Sequence, residues 1–93
     1  VKEITKEDIK QMIVSQVVES QGCRATELVC KIAATLAEGL LERGQTADFD
    51  VVEILEECVE AGHILEVSYV LPSMEYRSKQ LYFPKGTKFE IKV

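Results

Sequence analysis

The chain has 93 residues, enough for one hydrophobic core and too few for two lobes with a substrate cleft between them. Its composition, 46% hydrophobic and 29% charged, is that of a folding domain and excludes the high-charge, low-hydrophobicity regime of disordered chains. A net charge of −5 opposes non-specific attraction to nucleic acid or anionic lipid, both of which need clustered Lys and Arg.

Charge is unevenly spread. Residues 1–75 hold six Lys or Arg against fifteen Asp or Glu, whereas residues 76–93 hold five against one, so the end of the chain is a basic patch. The start at Val1, without an initiator Met, and the finish on Val93 after an alternating run suggest a piece of a longer protein carrying a single domain over residues 1–93. Cys23, Cys30 and Cys58 form no CxxC pair and have no His at zinc-ligand spacing. They are expected as reduced thiols, with Cys30 and Cys58 in the core. Signal, transit and membrane-spanning patterns are absent, which predicts an intracellular setting, cytoplasmic or nuclear.

Thr5 followed by Asp8 resembles a helix N-cap, in which the hydroxyl accepts an orphan N–H and the acid favours the positive end of the helix dipole. Ile9, Met12, Ile13 and Val17 then repeat at helical spacing until Gly22 stops the first helix. A second helix is predicted from Thr26 to Arg43, with Leu28, Ile32, Leu36 and Leu40 spaced by four and Val29, Ala33 and Ala37 beside them. That pattern predicts one broad buried face, on which Ala33, Ala34 and Ala37 permit close approach of another helix. Gly44 ends it.

Asp48 or Asp50 caps a third helix, with Glu53 three residues beyond Asp50 as a capping box needs. Val51, Ile54, Leu55 and Cys58 form its apolar stripe, and Glu53, Glu56, Glu57 and Glu60 fill the exposed remainder. After Gly62 the period changes to two: Leu65, Val67, Tyr69 and Leu71 alternate with Ile64, Glu66, Ser68 and Val70, as in a half-buried strand. A loop around Met74 and Glu75 turns the chain into a return strand from Tyr76 to Phe83, stopped by Pro84. Lys85, Gly86 and Thr87 form a turn, and Phe89, Ile91 and Val93 suggest one more short strand.

Three helices followed by a small antiparallel β-sheet make an α+β domain. The run from Leu28 to Leu41, then Ala47 to Glu60 and Gly62 to Glu66, resembles winged-helix modules of cullin tails, proteasome-lid-type scaffold proteins and RNA polymerase III subunits. The resemblance implies a hairpin wing and a recognition position for the third helix. It lacks one feature of the cullin tail, whose first long helix presents a modifiable lysine, because no Lys occurs from Gln11 to Gln21. A fold does not bring a function with it.

A recognition helix that enters DNA needs phosphate-seeking and base-reading side chains. Here it offers four carboxylates, and no Lys or Arg occurs from Thr46 to Leu71. Carboxylates against phosphates repel by about 1 kcal/mol per pair near 4 Å in water, and by more where water is excluded. The expected function is therefore non-catalytic protein–protein interaction or scaffolding, docking through Glu53, Glu56, Glu57 and Glu60 or through the basic wing. Phe49, Tyr69 and Met74 are the candidate apolar anchors. The alternative is nucleic-acid binding by Arg77, Lys79, Lys85 and Lys88 of the wing, which are interleaved with aromatic residues. No cofactor, metal, membrane or small-molecule substrate is expected, because nucleophile, phosphate-loop and metal motifs are lacking.

Overall fold

A computed structural model describes residues 3–70 and 78–88. Its elements, in chain order, are α1 (Lys6–Ser20), β1 (Cys23–Arg24), α2 (Ala25–Arg43), α3 (Val51–Glu60), β2 (Ile64–Val70) and β3 (Ser78–Pro84). The strands form one antiparallel sheet in the order β1-β3-β2. Three helices and a small antiparallel sheet give the expected α+β, winged-helix-like layout. One strand is additional: β1, two residues between α1 and α2, was not visible as a period. The final strand expected at residues 89–93 lies outside the described residues.

Each helix end has a local cause. Thr5 closes a reciprocal capping box, its Oγ1 accepting from Asp8 N at 3.3 Å while its own N–H donates to Asp8 Oδ2 at 2.8 Å. Asp50 caps α3 by accepting from Glu53 N at 3.2 Å. By contrast α2 starts at Arg24, which makes no side-chain cap bond. Gln21, not Gly22, takes the left-handed position after α1, at φ 53°. Gly22 has a positive φ of its own, 130°, and a Cβ there would also lie 2.8 Å from Cε1 of Phe83, so the missing side chain makes room for that ring.

The core is one cluster. Ile9, Ile13 and Val17 of α1 meet Leu28, Ile32 and Leu36 of α2, Ile54, Leu55 and Cys58 of α3, and Ile64 and Tyr82 of the sheet. Full burial of each large aliphatic side chain contributes about 1.5–3 kcal/mol relative to exposure. Two expectations are corrected here. Cys30 is exposed rather than part of the core, while Cys58 is buried as expected. Ala33, Ala34 and Ala37 are also exposed, so the buried face of α2 is narrow. The core meets α2 along the Leu28, Ile32 and Leu36 line, and among the described residues nothing buries the Ala33, Ala34 and Ala37 positions beside it.

Register decides the faces of the sheet. Residues opposite one another across an antiparallel pair share a face. Glu66 opposes Tyr82 and Ile64 opposes Pro84, whereas Leu65 opposes Phe83 and Val67 opposes Leu81. The core lies against the Ile64 and Tyr82 face. Leu65 and Val67, the apolar set of the alternating pattern, lie half-buried on the other.

The segment before α1 does not join the sheet at Ile4. Gln45 binds that residue like a strand neighbour, its Oε1 accepting from Ile4 N at 2.7 Å and its Nε2 donating to Ile4 O at 3.0 Å. Ile4 also packs over Gly39, where a Cβ would lie 2.9 Å from its Cδ1.

Candidate interaction surface on the third helix

The carboxylates of α3 separate into two groups around the helix axis. Ile54, Leu55 and Cys58 point into the core, and this fixes the directions of the rest. Glu57 faces α1. Lys6 Nζ lies 2.7 Å from its Oε1 and 2.6 Å from its Oε2. The hydrogen bond from Lys6 holds Glu57 below the ordinary carboxylate range, and the same bond raises the Lys6 ammonium above its ordinary value. Glu57 is thus used within the fold, as a link between α1 and α3.

Glu53, Glu56 and Glu60 are exposed. Glu56 and Glu60 also line a shallow groove of about 270 Å³ between α3 and the sheet, together with Val52, Leu55, Val59, Glu66, Gln80 and Tyr82. Its apolar strip is Val52 and Val59, of which Val52 is 50% exposed. Among the described residues, three carboxylates and no cation surround that strip. Gln80 Nε2 donates to Glu66 Oε1 at 3.3 Å, which fixes the Glu66 side chain across β2 and β3. Burial, with the charge and hydrogen bond of Glu66 and the charge of Glu56, pushes the Tyr82 phenol up to about 12. The charges of Glu56, Glu60 and Glu66 disfavour a further anion in the groove and favour a cation.

Of the lining, only Glu56 and Glu60 are expected from the sequence at a site; Glu66, Val52 and Val59 are among those that are not. Val52 and Val59 border the buried stripe of α3 and read as its edge. Glu66 belongs to a strand, and only the Glu66–Tyr82 register places it beside α3.

The other expected residues are placed as follows. Phe49 is not a free anchor, because it lies half-buried against the core. Lys85 and Lys88 are exposed around the turn in which Thr87 N donates to Pro84 O at 3.2 Å. Tyr69 and Lys79 are paired in register across β2 and β3, as described for the backbone. Arg77 and Met74 lie outside the described residues.

Cys58 has no accessible surface, and burial pushes its thiol up, which makes a poor nucleophile. His63 is exposed beyond the end of α3. Among the described residues, no cluster of three or more His, Cys, Asp or Glu could hold a metal ion, and no helix is long and apolar enough to cross a membrane.

Comparison of the chain with protein families, with curated proteins and with solved structures found no match.

Proposed function

We propose that this chain is a winged-helix domain of a larger cytoplasmic or nuclear protein, acting as a non-catalytic interaction or scaffold module. Its partner is a protein with a basic surface, which docks on the groove between α3 and the sheet. One observation carries this reading: Val52 and Val59 form an accessible apolar strip flanked by Glu56, Glu60 and Glu66, with no cation in the lining among the described residues. The strip supplies desolvation energy, and the carboxylates supply on-rate and discrimination. Glu57 contributes less than its neighbours, because its charge is already matched by Lys6.

The exposed Lys85 and Lys88 favour a second reading, nucleic-acid binding through the wing with α3 turned away. Titration with labelled duplex and single-stranded DNA and RNA at low salt separates the two. The protein-docking reading predicts negligible binding. Sub-micromolar binding that falls steeply with salt supports the wing instead.

A further inference from the structure

A second groove lies between α1, α2 and the segment that precedes α1. Its volume is about 670 Å³, within the range of sites that accept several side chains. The floor is apolar, made by Ile4 and Met12 over the gap left by Gly39. A Cβ at Gly39 would meet Ile4, so the glycine lets the branched side chain lie across the helix. Met12 is an adaptable surface, since an unbranched thioether repacks around different partners.

The rim is predominantly acidic. Glu3, Glu38 and Glu42 are exposed along it, and Asp8 adds a fourth carboxylate while capping α1. Among the described residues Arg43 is the only cation in the lining, and its Nη1 donates to Gly39 O at 3.0 Å. Glu38 and Glu42 stand four residues apart, on one face of α2, and so repel each other. A cation placed between them relieves that repulsion.

We infer that the groove between α1 and α2 is a docking site for a basic amphipathic helix of a partner protein. The partner's aliphatic stripe lies on Ile4 and Met12, and its Lys or Arg residues meet Glu3, Glu38 and Glu42. Groove, apolar floor and charge define the occupant together, in the manner of a helix laid into a groove. This site is separate from the α3 surface and stands if that surface proves idle.

The test uses a short blocked peptide of Leu, Ala and Lys at helical spacing, with a counterpart carrying Glu for each Lys. Both are titrated into isotopically labelled protein while backbone amide shifts are followed. The expected result is saturable shifts at Gln11, Ser15, Thr35 and Gly39 with the basic peptide and none with the acidic one. Combined Glu38→Lys and Glu42→Lys substitution is expected to weaken binding at least about tenfold, because each reversal turns an attraction into a repulsion. Both side chains are exposed, so the variant should fold. Thr35→Lys, on the same rim, is a second variant expected to weaken binding. No shift in the groove, equal affinity for the acidic peptide, unchanged affinity in both variants, or shifts confined to Val52, Glu56 and Glu66 would overturn the inference.

Discussion

Helices α2 and α3 look alike as patterns and behave differently in the fold. On α3, the apolar residues Ile54, Leu55 and Cys58 are buried and the acidic face is outside, as the helical period predicts. On α2, Leu28, Ile32 and Leu36 are buried, but Cys30, Ala33, Ala34, Ala37 and Leu41 are exposed, with Leu41 at 84%. Each helix buries three residues, but α2 spreads them along 19 residues and α3 along ten, so the apolar residues of α2 beside that single line stay exposed. A stripe of Leu at four-residue spacing marks the core side, whereas Ala and Cys beside it do not.

Substitution on the two sides of α2 tests this most strongly. Ile32→Ala is expected to cost about 2–5 kcal/mol, the usual loss for a buried aliphatic side chain. Leu41→Ala should stay within about 0.5 kcal/mol, as an exposed position does. Denaturant midpoints at constant slope measure both, and equal losses would mean that α2 is covered on both sides.

The helix starts sharpen the contrast at a smaller scale. Asp50→Ala removes the α3 cap and should cost about 1 kcal/mol. Arg24→Ala at the start of α2 should cost almost nothing, since no side-chain cap bond is lost. Thermal unfolding of the pair reads the difference.

Smaller still is the pH dependence of the Lys6–Glu57 link. Glu57 is lowered in the fold, so its contribution is present above the ordinary 4.5 of an unfolded carboxylate. It is lost as pH falls through the depressed folded value. Lys6 is raised, so its contribution is present below 10.5 and is lost as pH rises through the folded value. Glu57→Gln should flatten the acid limb of stability slightly. Surface screening keeps the effect modest.

Tyr82 gives the most direct reading of the groove beside α3. Its phenol should titrate near 12 in the folded protein, by near-ultraviolet absorbance, against 10 in the unfolded chain. Its contribution to stability is full below 10 and is lost as pH rises through the folded value. Glu66→Gln should bring the titration down, and an unchanged value would remove Glu66 from the electrostatics of the groove.

Much of the fold was legible because strong local signals agree with it. Thr5 with Asp8, Asp50 with Glu53, and the apolar spacing of Ile9, Ile13 and Val17 all state their roles within a few residues. What was not legible depends on partners distant in the chain. Cys23 and Arg24 become a strand only because Tyr82 and Leu81 lie opposite them. Ile64 becomes core because the helices pack against that face, although Leu65 and Val67 carry the more regular alternation. The site shows the same division: Glu56 and Glu60 could be named from the helix, but their neighbours Glu66 and Tyr82 come from register, and the engagement of Glu57 by Lys6 spans 51 residues.

The central claim is that a protein partner docks beside α3. A photoreactive leucine analogue placed in turn at Val52, Leu41 and Lys85 of the protein in its own cells tests it most directly. Illumination is predicted to give a protein adduct from Val52, none from Leu41 and no nucleic-acid adduct from Lys85. A nucleic-acid adduct from Lys85 with none of any kind from Val52 would contradict the account.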